Sequence, residues 1–256
     1  MKVHITPSLP SGADPGDGGI RQVVRAQYRW LPEFGWEIAE SPADADVLAC
    51  HVEIPPTYLR LYAHKPIVVH NHGAYWTPDY AWDGDWHYAA NMRLLEALRV
   101  ADITTAVSDW TAHTLRRHSN RDIRVVHHGV DLEEWTPLPD AERSDFVLWN
   151  KTRIDPVCDP TPVALLARAL PSVGFVTTFL PAGEQPLRNV SMTGTLPFEE
   201  SKSLVRAAGA YLCTTRETFG IGTLEALASG VPVVGYRWGG QREIVKPLVE
   251  LNLYNS

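Results

Sequence analysis

The chain has 256 residues, 45% of them hydrophobic and 21% charged, with a formal net charge of −7. That balance excludes a disordered or fibrous chain, and at roughly 150 residues per domain it fits one or two domains. An acidic chain, with a pI near 5.8, is poorly suited to holding nucleic acid by broad phosphate neutralisation.

Val3–Thr6 reads as a first strand, followed by a loop rich in Gly, Pro and Asp from Pro7 to Gly19. Ile20, Val23, Val24, Gln27, Tyr28 and Leu31 then recur at helical spacing, and Pro32 and Gly35 end that helix. Short Val- and Ile-rich runs at Asp46–Cys50, Pro66–His70, Ile103–Val107 and Ile123–His127 lack clean alternation, as buried parallel strands do. Helices are expected between them, most clearly at Tyr88–Val100 and Trp110–His118. Leu132–Asp140, with its prolines and charges, reads as a linker. The rhythm then restarts. Strands are expected at Phe146–Trp149, Gly174–Phe179, Asn189–Met192, Ala210–Thr214 and Pro232–Gly235, and helices at Pro162–Ala169, Phe198–Ala208 and Gly222–Ser229. Two successive βα series predict an α/β chain of two doubly wound, Rossmann-like domains, 1–135 and 136–256, with ligands beyond the carboxyl ends of the strands in the cleft between them.

Cys50, Cys158 and Cys213 are odd in number and widely spaced, which predicts thiols in a reducing compartment. Met1–Thr6 has no apolar signal-peptide core, and no apolar run approaches the ~20 residues a membrane span needs, so a cytoplasmic location is expected. Without a secretory signal, the sequons at Asn150 and Asn189 read as chance.

The most informative stretch runs from Thr214 to Gly235. A strand ends at Thr214, and a loop carries Glu217, Phe219, Gly220, Ile221 and Gly222. A helix is expected to start near Thr223 and to end at Gly230 ahead of Pro232. A glycine-rich loop entering a helix offers backbone N–H groups and a positive dipole end, which suit a diphosphate. Glu217 and Glu225 flank it, placed to accept hydrogen bonds from sugar and ribose hydroxyls.

This block resembles the Glu-x7-Glu signature of retaining glycosyltransferases of the GT-B fold, family 4. Further landmarks fall in the family's order: Asp17-Gly18-Gly19 before the first helix, His70 to Gly73 after a strand, Ala101-Asp102 to Ser108, His127 to Asp131, Met192 to Leu196, and Gly239-Gly240 with Glu243 to Val245. The resemblance implies hexose transfer from a nucleotide-diphosphate sugar, UDP- or GDP-linked, with no metal and no other cofactor. It implies that Glu217 contacts the transferred sugar, that Glu225 holds ribose and that backbone near Leu196 meets the base. Arg153 and the N–H groups of Gly220–Thr223 would take the diphosphate, Gly18 and Gly19 would let the first helix approach it, and His72 would serve the acceptor side.

Two departures stand out. The family's diphosphate-clamping Arg and Lys sit in a Gly-Arg…Lys-Gly context; here Arg153 fits the arginine, and Lys151 substitutes for the lysine by chemistry alone. Family members also continue beyond a segment like Glu243–Val245, whereas this chain stops at Ser256.

Between Tyr75 and Tyr88, six aromatic rings mix with aspartates, so Tyr75, Trp76, Trp82 and Trp86 read either as an acceptor-side wall or as a structural loop. Arg116, Arg117, Arg121 and Arg124, with His113 and His118, read as a solvated helix face or as a contact for anionic lipid. Trp30, Trp110 and Trp149 are expected to pack. His70 and His72 have no third ligand at helpful spacing, so no metal site is expected. The acceptor, whether small molecule, glycan or lipid, and the oligomeric state are not legible. A sugar-nucleotide epimerase, a DNA-modifying glucosyltransferase and a non-catalytic partner subunit stay open as alternatives.

Overall fold

The computed structural model describes residues 1–9, 18–76, 78–139, 142–245 and a strand at 253–254. Asp17 and most of the first glycine loop lie outside the described residues. The chain forms two compact units, the first running to His128 and the second from Gly129.

The first unit holds a six-stranded parallel sheet: β1 (Lys2–Thr6), β2 (Glu37–Ile38), β3 (Val47–His51), β4 (Ile67–Asn71), β5 (Ile103–Ala106) and β6 (Ile123–Val125). The strand order is β2-β1-β3-β4-β5-β6. The connections contribute α1 (Gly19–Trp30), α2 (Pro56–Leu61), α3 (Trp86–Val100) and α4 (Asp109–Arg116). β3 is buried almost throughout, which is why its sequence shows no alternation. Ser108 caps α4 by accepting the Thr111 N–H at 3.0 Å. The short β2 and α2 carry too few residues for a periodic signal, so the sequence does not announce them.

The second unit holds β7 (Val147–Trp149), α5 (Thr161–Ala169), β8 (Phe175–Thr177), β9 (Val190–Met192), α6 (Phe198–Ala207), β10 (Ala210–Cys213), α7 (Ile221–Ala228), β11 (Val233–Tyr236), α8 (Gln241–Val245) and β12 (Leu253–Tyr254). Its sheet is also parallel, in the order β12-β11-β10-β7-β8-β9. The chain builds outward from β7 through β8 to β9, then returns to lay β10 on the other side of β7. The loops after β7 and β10 therefore flank the point where the winding reverses, which is where open α/β sheets bind ligands.

Two expectations need correction. Residues 132–139 of the expected linker are not loose: Trp135 is buried in the second unit's core with Leu148, Tyr211 and Val233, its ring edge-on to Phe198 at 6.0 Å. The Arg206 Nε–H donates to the Thr136 carbonyl at 2.8 Å, which ties the proline-rich stretch down. Trp30 does not pack inside; it is 41% exposed with the Arg29 guanidinium over its ring at 4.8 Å. Trp149 is fully buried, as expected. No helix among the described residues is long and apolar enough to cross a membrane.

Candidate functional site

Lys151 follows β7, and its backbone N–H donates to Thr178 Oγ1 at 2.9 Å. The side chain is only 8% exposed and its Nζ donates to Glu217 Oε1 at 2.9 Å. Glu217, 23% exposed, lies in the loop after β10, so the two winding loops meet in one part-buried ion pair. The Tyr211 ring lies 5.7 Å from Nζ. Burial alone would push the Glu217 carboxyl up, but the adjacent ammonium overrides it and holds the carboxyl below the usual carboxylate range. Burial alone would likewise lower Lys151; Glu217 reverses that and raises it well above the ordinary lysine value.

Beside this pair α7 begins at Ile221, two residues earlier than the sequence suggests. Gly220 caps it in the left-handed region at φ +98°, which an L side chain rarely adopts. No side chain caps α7 and its first turn holds no acidic residue, so its positive end suits an anion. At Gly222 a methyl group would meet Tyr211 Oη at 2.7 Å and Lys151 Nζ at 3.8 Å. The loop is braced from α8: the buried Gln241 donates from Nε2 to the Thr215 carbonyl at 2.6 Å and accepts from Thr223 Oγ1 at 3.2 Å. Phe219 is buried beneath it.

One turn into α7, half-buried Glu225 has a carboxyl pushed up to about 7, by burial first and then by Glu134, against the pull of Lys151. Arg153 is exposed and pairs with Asp155, whose other oxygen accepts the N–H groups of Val157 and Cys158 at 2.9 and 2.8 Å. Beyond β9, Leu196 lines an open groove of about 440 Å³ with Thr193, Glu199, Glu200, Ser203 and Leu204.

In the first unit, Gly18 caps α1 without a side-chain hydrogen bond, and Gly19 is the helix's first residue. His72 belongs to a cluster the sequence only half reveals. Its Nε2 lies 2.8 Å from Nδ1 of the buried His51, whose Nε2 lies 2.9 Å from Gln27 Oε1. The His70 and His51 rings are 5.0 Å apart, and those of His72 and His128 are 5.3 Å apart. Burial, reinforced by the neighbouring rings, lowers His51 to about 3 and His72 to about 2. His70 and His128 fall to about 4, again chiefly through burial. The aromatic stretch packs on itself: Tyr75, Trp82 and Trp86 sit edge-on at 4.9 to 5.3 Å, and Trp76 lies on His118 at 3.9 Å. Trp86 is still 49% exposed. Arg116 and Arg121 donate to the carbonyls of Ile123 and Ala101, so part of the basic stretch serves its own unit.

The Glycosyltransferase Family 4 profile matches residues 2–134. The chain belongs to glycosyltransferase family 4. A second profile, Glycosyl transferases group 1, matches residues 182–254. Among solved structures the chain is similar to sucrose-phosphate synthase from Thermosynechococcus elongatus, at 17% identity and TM-score 0.74, over 96% of this chain and 83% of that one. It is also similar to AviGT4, a glycosyltransferase involved in avilamycin A biosynthesis, at 21% identity and TM-score 0.62, over 99% and 83% of the two chains. A third likeness is to Anabaena HepE in complex with UDP and glucose, at 16% identity and TM-score 0.63, over 94% and 82%. These likenesses establish the GT-B fold. No curated protein matches the sequence.

Within this family 4 chain, sequence reasoning missed Tyr211, Gln241, His51 and Gln27. Gln241 directly follows the Gly239-Gly240 pair, and that adjacency marks it in the sequence. A methyl on Gly240 would meet the Thr218 carbonyl oxygen at 2.1 Å, so the glycine lets α8 start against the loop. Tyr211, His51 and Gln27 lie on a strand interior, a strand end and a helix, where spacing alone does not separate a site residue from a packed one.

Proposed function

We propose that this chain transfers a hexose from a UDP- or GDP-sugar to an acceptor hydroxyl with retention of the anomeric configuration. The observation that carries the reading is the part-buried Lys151–Glu217 pair, 2.9 Å across, beside the start of α7 where the parallel sheet reverses its winding. An ammonium and a helix N-terminus together offset a diphosphate's charge. HepE's complex with UDP and glucose favours a UDP-linked donor.

In this reading Lys151, Arg153 and the N–H groups of Gly220–Thr223 stabilise the leaving diphosphate as its charge builds, so no metal ion is needed. Glu217, kept ionised by Lys151, accepts hydroxyls of the transferred sugar and orients it. Glu225 holds the ribose hydroxyls, and the groove at Leu196 receives the base. The acceptor oxygen bonds to the anomeric carbon on the face the diphosphate leaves, and the acceptor proton passes to the departing phosphate oxygen. His72 accepts a hydrogen bond from a hydroxyl on the acceptor side.

The test is turnover of UDP-glucose, read as UDP release, with EDTA present. Glu217→Ala should lower kcat by ~100-fold or more with little change in donor affinity, the scale seen when one transition-state contact is lost. Glu225→Ala should mainly weaken nucleotide binding. Equal loss of binding in both variants, or activity abolished by EDTA, would contradict the assignment.

A further inference from the structure

Gln27 lies on α1, His51 ends β3 and His72 follows β4, yet the three side chains form one line of hydrogen bonds: Gln27 Oε1 to His51 Nε2 at 2.9 Å, and His51 Nδ1 to His72 Nε2 at 2.8 Å. Both rings are neutral near pH 7, because burial and neighbouring histidines disfavour their charged forms. A neutral imidazole carries one N–H and one lone pair, so each bond in the line fixes the next. The carboxamide oxygen of Gln27 only accepts, so His51 Nε2 carries the proton. His51 Nδ1 is then an acceptor, and His72 must donate from Nε2. The remaining nitrogen of His72, Nδ1, then carries the lone pair.

We infer that Gln27 and His51 are positioning residues that lock His72 in its Nε2–H tautomer, so that His72 meets a hydroxyl as a hydrogen-bond acceptor through Nδ1. A second observation shows how firmly His51 is placed. Val52, the next residue, has φ +70°, which a β-branched side chain rarely adopts, and its N–H donates to the His70 carbonyl at 2.9 Å. The turn that ends β3 is thus held in a strained form directly beside the relay. The ring nitrogens do not converge as metal ligands: among the described residues, no three of these histidines offer nitrogens within 4.8 Å of one another.

The role at a hydroxyl rests on the transferase reading; the tautomer does not. Long-range ¹H–¹⁵N spectra of the histidine rings at pH 7 should show His72 protonated on Nε2 and unprotonated on Nδ1. Gln27→Met removes the acceptor while keeping the stem length, and should give a mixture of His72 tautomers. It should also lower kcat for UDP-glucose turnover about 10- to 100-fold, the scale of a lost orienting partner, with KM changed less than twofold. His51→Phe should mix the tautomers in the same way, so the test survives if one variant fails to fold. His72 protonated on Nδ1 in the native protein, as the reversed Gln27 amide would impose, overturns the relay. So does a tautomer unchanged in both variants. A native protein with the expected tautomer but no turnover of any UDP- or GDP-hexose would sustain the relay and count against the transferase reading alone.

Discussion

The two units bury polar clusters in opposite ways. The second unit keeps full charges inside by pairing them, Lys151 against Glu217 at 2.9 Å. The first gathers His51, His70, His72 and His128 and removes their charge, with pKa values pressed down to between about 2 and about 4. An isolated buried charge costs too much to persist, so a site must pair its charges or titrate them away. The chosen solution fits the proposed chemistry on each side. A diphosphate needs a fixed cation, whereas a hydroxyl needs a neutral acceptor.

The largest effect should come from breaking the pair. Lys151→Met leaves the part-buried Glu217 without its cation and should cost about 2–3 kcal/mol in urea unfolding, less than a fully buried pair would lose because water still reaches the carboxylate. Adding Glu217→Gln should recover much of that stability without restoring turnover. A single variant as stable as the native chain would mean that the pair is not desolvated.

Next comes the packing that holds the pair against α7. Gly222→Ala should cost about 1–3 kcal/mol, because the methyl meets Tyr211 Oη at 2.7 Å. Tyr211→Phe in the same chain should relieve it, since the nearest ring carbon lies at 3.6 Å. Thermal melts of the three variants decide this.

The contrast between the units sharpens with pH. The histidines of the first unit are depressed below their ordinary 6.5, so the unfolded chain takes up protons that the folded chain refuses. That unit should lose stability as pH falls below about 6.5, by up to about 1.4 kcal/mol per pH unit for each ring that stays neutral. In the second unit Glu225 is raised from 4.5 to about 7, so its contribution grows as pH falls over that range. Glu217 is depressed, so its contribution disappears only as pH falls below the ordinary carboxylate range. Hydrogen-exchange free energies at pH 7.5 and 5.5 should therefore fall in β3 and β4 while holding or rising in β7 and β10. Parallel changes in both sheets would break the comparison.

A smaller, few-fold effect is expected in binding. If ionised Glu225 grips ribose, UDP affinity should rise as pH passes through about 7, and Glu225→Gln should flatten that rise.

Much of this was legible in the sequence, for reasons that differ by residue. The longer buried strands and amphipathic helices announced themselves by composition and spacing, and Glu217, Gly220 and Glu225 by their place in a glycine-rich loop entering a helix. Lys151 was readable only as a cation near an expected diphosphate; its tie to Glu217, 66 residues away, is a tertiary fact. The Gln27–His51–His72 line joins a helix and two strand ends, which no local pattern encodes. Trp135 was misread because its neighbours are prolines and charges, while the core it enters is built from strands later in the chain.

The central claim is that the Lys151 ammonium and the start of α7 form a diphosphate site. The most direct test compares melting of the native chain with UDP and with uridine, beside Lys151→Met/Glu217→Gln with the same ligands. At 100 times its dissociation constant UDP should stabilise the native chain by ~2.7 kcal/mol. Uridine should do far less, and the double variant should lose most of the UDP effect. Equal stabilisation of both proteins by UDP, or equal effects of UDP and uridine on the native chain, would contradict the account.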